Sequence, residues 1–189
     1  LEKILSKEIL MVASHTENPV IKAIFERRSI RSFTDKAVSK EDIETIVQAG
    51  LFAPSGRNRQ DWQFTIVTKS GQLAKLNDEI IKAQNRNPDY VCYYGAPVLI
   101  IVSSLVSNDL SPFDCACALE NIFLSAHALG LGTCWINQPG ASTNDEGVRS
   151  VLSELGVPLN HNVYGCAALG YAAGTPKSPP RRANTVIWA

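Results

Sequence analysis

Arg27-Arg28-Ser29-Ile30-Arg31 sets three cations and a hydroxyl within five positions, where an apolar-periodic segment gives way to something else. Guanidinium groups present planar forks of donors that match phosphate oxygens, and a neighbouring hydroxyl adds a further donor. Two readings follow: a phosphate cradle, or a solvated helix end whose cations complement the helix dipole. Just upstream, Asn18-Pro19 pairs a capping side chain with proline at the first helical position, and Val20, Ile21, Ile24 and Phe25 share one apolar face. A short helix therefore delivers Arg27 and Arg28 at its carboxyl end.

The chain has 189 residues, 45% of them hydrophobic, which suits one domain over residues 1–189. Eighteen basic residues balance eighteen acidic ones, so no global field draws the chain to nucleic acid or to an anionic membrane. Any basic site is local. Apolar runs such as Val98 to Val102 are too short to span a bilayer, and no basic-then-apolar leader opens the chain, so the expectation is a soluble, cytoplasmic protein. Five scattered cysteines fit a reducing compartment, and Cys115 and Cys117 read as small buried hydrophobes.

Residues 1–14 show weak helical periodicity through Leu5, Ile9, Leu10 and Val12. A second helix starts at Ser39, with Asp42 three residues on, and Ile43, Ile46, Val47, Gly50 and Leu51 keep helical spacing up to Pro54. The polar loop Pro54-Ser55-Gly56-Arg57-Asn58-Arg59-Gln60 follows, then a strand over Trp62 to Thr68 in which Trp62, Phe64 and Ile66 alternate with Gln63, Thr65 and Val67. Leu73, Leu76 and Ile80 mark a helix, and 84–95 reads as an irregular, lid-like insertion. Val98 to Val102 suits a strand covered on both faces. The longest helix starts at Ser111-Pro112, with Asp114 as a capping partner, and carries Cys115, Leu119, Ile122, Phe123, Ala126 and Leu129. Gly132 to Ile136 reads as a strand, Asn137 to Ser142 as a loop, and Thr143 with Glu146 as a capping box for a helix through Leu155. Val163 to Tyr171 makes a last core strand, and Thr185 to Trp188 an edge strand. Alternation of strands and helices, taken alone, favours a parallel doubly wound sheet.

No glycine-rich dinucleotide turn follows a strand, and no P-loop occurs, so phosphate binding would use side chains: the opening stretch, the 55–60 loop and Arg181-Arg182. His15, His127 and His161 stand alone, without partners at metal-ligand spacing, and no Ser, Cys or Thr occupies a nucleophile elbow. A structural or solvated role suits all three histidines. Such a chain points to a cofactor that carries the chemistry.

Glu26 to Phe33, Val38 to Ile43, Ala53 to Trp62, Gly130 to Ile136, Leu169-Gly170-Tyr171 and the late arginines occur in an order and spacing that resembles the nitroreductase family from about Asn18 onward. The resemblance implies an α+β fold with a central, mostly antiparallel sheet flanked by helices, in place of the parallel sheet. It also implies a homodimer with FMN at the subunit interface. By that likeness Arg27, Ser29 and Arg31 meet the phosphate and the pyrimidine side of the flavin, with Arg28 adjoining. Pro54, Ser55, Gly56 and Asn58 reach it from the other subunit, with Gln60 nearby. Trp135, Ile136 and Asn137 line the ring, an N–H near Asn137 facing N5, and Arg181 or Arg182 returns to the phosphate.

The implied activity is ping-pong transfer of hydride from NADH or NADPH, through flavin N5, to a small acceptor such as a nitroaromatic, quinone or enone. No metal, nucleic acid or membrane takes part, and no residue stands out as a general acid. Alternatives are a specialised relative working in dehalogenation or in oxidation of a flavin or other ring, and a non-catalytic flavin-binding redox module. Trp62 and Trp135 read as packing residues before substrate stackers. Asp61 stands where the family commonly has proline; its carboxylate is expected to point to solvent.

Overall fold

The computed structural model describes residues 17–178, 180–181 and 185–188. The periodicity in residues 1–14, His15 and Arg182 lie outside them. Asn18 caps the first helix, α1 (Pro19–Glu26), its Oδ1 accepting from the amides of Val20 and Ile21. Ser39 Oγ likewise accepts from the Asp42 amide to start α2 (Lys40–Leu51). Both caps satisfy amides that a helix's first turn leaves without partners. After a 3-10 turn over Gly56–Asn58 come β1 (Trp62–Val67), α3 (Ser70–Gln84), β2 (Val98–Leu105) and α4 (Ser111–Ala128). They are followed by β3 (Gly132–Ile136), α5 (Gln138–Ala141), α6 (Glu146–Glu154) and β4 (His161–Gly170).

The four strands form one sheet in the order β1-β2-β4-β3, and every neighbouring pair is antiparallel. The parallel sheet suggested by alternation is thus wrong, and the antiparallel one implied by the resemblance is right. Alternating elements say nothing of strand direction. β2 lies in the middle and is buried on both faces, as its unbroken apolar run required. On one side Val98, Ile100 and Val102 join Ile46 of α2 and Leu119 and Ile122 of α4 in a core. On the other, Leu99 and Ile101 pack with Leu73, Leu76 and Ile80 of α3 and Val148 and Leu152 of α6. Fully burying one such side chain contributes about 1.5–3 kcal/mol. Among the described residues no helix is long and apolar enough to cross a membrane.

Several local expectations are corrected. Val67 is buried in the second core, while Ile66 is partly exposed at the sheet's edge strand. Residues 84–95 are pinned rather than lid-like: the buried Asn77 donates to the Tyr90 carbonyl and accepts from the Cys92 amide, and Cys92 enters the core. Asp114 caps no helix; its carboxylate accepts from the distant Gly56 amide. Asp145, not Thr143, caps α6, because the Thr143 hydroxyl instead donates to the Pro139 carbonyl. The 137–142 loop contains the short α5. Cys117 and Leu129 lie at the surface. Residues 185–188 form no strand, and Val186, Ile187 and Trp188 are exposed.

His161 sits buried at the start of β4, a structural role, with Nδ1 3.2 Å from Ser103 Oγ. Burial lowers its pKa below the ordinary 6.5, with Asp61 opposing and Arg149 assisting. As pH falls through 6.5 the unfolded chain protonates this imidazole before the folded one does, so stability drops until the folded-state pKa is passed. Urea midpoints should therefore fall on acidification below that value, and His161→Asn should reduce the fall. Leu119→Ala, which empties a fully buried site under α4, should cost about 2–5 kcal/mol by urea unfolding.

Candidate functional site

The helix ends at Glu26, and the chain from Arg27 onward runs extended beside β3. Ser29 pairs in parallel with Thr133, and the Ile30 amide donates to the Thr133 carbonyl at 2.8 Å. Farther on, the Thr34 amide donates to the Tyr171 carbonyl and the Ala173 amide to that of Ser32. Ile30 is buried against Gly132, where a Cβ would meet Ile30 Cγ1 at 2.6 Å. Side chains alternate along an extended chain, so with Ile30 inward its neighbours Ser29 and Arg31 face the other way.

Arg27, Arg28, Ser29, Arg31, Lys177 and Arg181 line one hollow of about 250 Å³. Lys177 was not anticipated: a lone lysine among prolines carries no motif. The Arg27 side chain, about one quarter exposed, stands 3.5 Å from Glu120 and 6.0 Å from the Phe123 ring centre. The atom facing Glu120 is the buried Nε, which makes this ion pair without a hydrogen bond. Arg28 is engaged internally, donating to the carbonyls of Phe25 and Arg27 and to Ser178 Oγ at 2.6–2.7 Å. Those bonds fix the end of α1 to the returning tail. The Arg31 guanidinium lies 6.0 Å from the Tyr94 ring centre. Burial raises the pKa of the neighbouring Cys134 thiol, and Arg31 and Arg27 pull it the other way. A hollow lined by five cations fits an anion with several oxygens.

The 54–60 loop is shaped from outside. Asp114, itself buried, accepts from the Gly56 amide at 2.9 Å, and Ser55 Oγ accepts from the Gln60 amide. Gln60 Nε2 in turn donates to Asn58 Oδ1 at 2.8 Å. At Gly56 a Cβ would lie 2.2 Å from Leu110 Cδ1, so a larger residue there must displace the Leu110 side chain. Pro54, Asn58 and Gln60 are exposed. Asp61 is not directed to solvent; its Oδ2 accepts from Arg59 Nε at 2.7 Å and from Asn108 Nδ2 at 3.0 Å.

Trp135, 39% exposed, tilts against Phe123 with ring centres 6.1 Å apart, so Arg27, Phe123 and Trp135 form a series along α4. Ile136 points the opposite way into the core with α3 and α6, so its side chain lines no surface and only its backbone is available. The Asn137 amide donates to the Gln138 side chain at 3.1 Å. Among the described residues no group of three or more His, Cys, Asp and Glu converges as a metal site would require.

The expected site residues are thus not gathered in one place. The cationic stretch flanks β3 at one edge of the sheet, and the 54–60 loop leads into β1 at the other. Three strand spacings, about 14 Å, separate those edges.

The architecture is thus an antiparallel sheet layered by helices, with a cation-lined hollow at one edge. The chain belongs to the Nitroreductase family, whose family model matches residues 24–171. A protein of Archaeoglobus fulgidus provisionally named NADH dehydrogenase/NAD(P)H nitroreductase is 33% identical over 154 residues, 80% of this chain and 84% of that one. The FMN reductase (NAD(P)H) of Bacillus subtilis is 28% identical over 184 residues, covering 88% and 73%. A nitroreductase of Bacteroides fragilis, solved with bound FMN, is 40% identical with a TM-score of 0.87 over 91% of this chain and 99% of that one.

Asp114→Ala leaves the Gly56 amide unpartnered and should cost about 1–3 kcal/mol by urea unfolding.

Proposed function

We propose that this chain is an FMN-dependent NAD(P)H oxidoreductase that works as a homodimer. The observation that carries the reading is the cationic hollow at the β3 edge, lined by Arg27, Arg28, Arg31, Lys177 and Arg181. The names of the similar proteins, nitroreductase and FMN reductase, point the same way.

Arg27, Ser29, Arg31, Lys177 and Arg181 would hold the cofactor's phosphate, with Arg28 holding the backbone around them. Trp135 and the backbone of Ile136 and Asn137 would flank the ring. Pro54, Ser55, Gly56, Asn58 and Gln60 stand at the opposite edge of the sheet from the hollow, and would come from the second subunit. Support for pairing lies in large apolar side chains left exposed on two helices, Val20, Ile24 and Phe25 of α1 and Phe113 of α4. Apolar patches of this kind mark protein interfaces.

FMN, when bound, supplies a ring able to take up a hydride and pass it on. The chain's part is to bind and orient that ring and to leave one face open, where NADH or NADPH and then a nitroaromatic, quinone or enone bind in turn. Protons come from solvent. The pinned 84–95 segment forms no long substrate cover, which favours a small, exchangeable acceptor over a specialised ring substrate.

The purified protein should be yellow, release FMN on denaturation and oxidise NADH or NADPH when given a quinone. A colourless protein that cannot be reconstituted contradicts the reading, and bound FMN without turnover favours a redox module. Arg27→Ala with Arg31→Ala should weaken FMN binding by at least about tenfold, since charge-assisted bonds contribute about 1.5–3 kcal/mol each. Fluorescence titration reads this directly, and circular dichroism should show the fold intact.

A further inference from the structure

Three residues of the 54–60 loop, none of them glycine, adopt left-handed backbone: Arg57 at φ 57°, Asn58 at 55° and Gln60 at 52°. Such conformations are disfavoured for residues with a Cβ and persist only where the surroundings impose them. Two of the imposing contacts act on the loop's first half and its end, namely Asp114 with the Gly56 amide and Ser55 with the Gln60 amide. The third is Asp61. One oxygen of its carboxylate holds both the Arg59 guanidinium, at 2.7 Å, and the side-chain amide of Asn108, at 3.0 Å.

Asn108 is buried at 4% exposure, and its own Oδ1 accepts from the Leu110 amide at 3.1 Å. Leu110 is the residue on which Gly56 rests, and it directly precedes α4, which carries Asp114. The contacts therefore close a ring: loop to Asp61, Asp61 to Asn108, Asn108 to the start of α4, and α4 back to the loop. A free surface ion pair contributes little because both partners must be immobilised and both stay hydrated. Here the Asp61 side chain is only 19% exposed and its second partner is buried, so its position is already set.

We propose that Asp61 is a positioning residue: through Arg59 and Asn108 it holds residues 55–60 in the left-handed shape that meets the flavin of the other subunit. The inference rests on the reading of that loop as a flavin contact. None of the clip's atoms belongs to either hydrophobic core, so its loss loosens the loop and leaves the sheet in place.

The test compares the full-length wild type, Asp61→Ala, Asp61→Asn, Arg59→Ala and, as a control, Arg27→Ala. Hydrogen exchange of the loop amides is read without added flavin, alongside the FMN dissociation constant, the visible band of bound FMN and the melting temperature. In Asp61→Ala, exchange over 56–60 should quicken by about tenfold or more, FMN should bind several-fold more weakly, and the bound-flavin band should shift. The melting temperature should fall by only a few degrees, because the buried Asn108 amide loses its acceptor while both cores stay intact. Asp61→Asn, which keeps an acceptor for Asn108, should fall between, and Arg59→Ala should repeat the effect should Asp61→Ala not fold. Arg27→Ala should weaken binding with loop exchange unaltered.

Unchanged loop exchange overturns the clip. Faster exchange with unchanged affinity and spectrum overturns its role toward the flavin. A wild type that takes up no FMN overturns the flavin reading together with that role, while the exchange data still decide whether Asp61 shapes the loop.

Discussion

Holding like charges together is the constraint on which this structure depends. Arg27, Arg28, Arg31, Lys177 and Arg181 border one small hollow, and only Glu120, 3.5 Å from Arg27, answers them in an ion pair among the described residues. Such a cluster repels itself, and repulsion is strongest where water is thinned. The fold meets that cost with backbone bonds. The Ile30 amide on the Thr133 carbonyl and the buried Ile30 side chain fasten the stretch to the edge of β3. Arg28 supports the assembly from within by tying the end of α1 to Ser178.

The sheet explains why the other expected site residues stand elsewhere. A four-stranded antiparallel sheet with β2 and β4 in its middle puts β1 and β3 at opposite edges, so the cationic stretch and the 54–60 loop stand at opposite sides of one chain. Helix α4 connects the two. Asp114 in its first turn holds the 54–60 loop, while Phe123, farther along, stands beside both Arg27 and Trp135. One helix therefore touches both the 54–60 loop and the surroundings of Arg27 and Trp135.

Much of this was legible where the signal was local. Asn18 and Ser39 read as caps because their bonds run to amides two or three residues on. Gly132 to Ile136 read as a strand with the observed limits. Legibility failed where a distant partner won. Asp114 stood at a capping spacing, yet its carboxylate serves Gly56, 58 residues away. Thr143 and Glu146 had the capping pattern, but the Thr143 hydroxyl found the Pro139 carbonyl and left the cap to Asp145. Asp61 read as solvated because Asn108, 47 residues on, is invisible from its neighbourhood. Strand direction lay beyond pattern reading altogether and came only through the family resemblance, which also supplied the two-subunit site.

That two-subunit site is the central claim, and mixed dimers test it most directly. A chain bearing Arg27→Ala and Arg31→Ala and a second chain bearing Gly56→Leu each lack one half-site. Each alone should bind FMN poorly. Co-folded and isolated as the mixed species, they should regain about one tight FMN site per dimer, because one pairing unites the two intact halves while the other unites the two damaged ones. Mixed dimers that bind no better than either parent would contradict the account and place the whole site within a single chain.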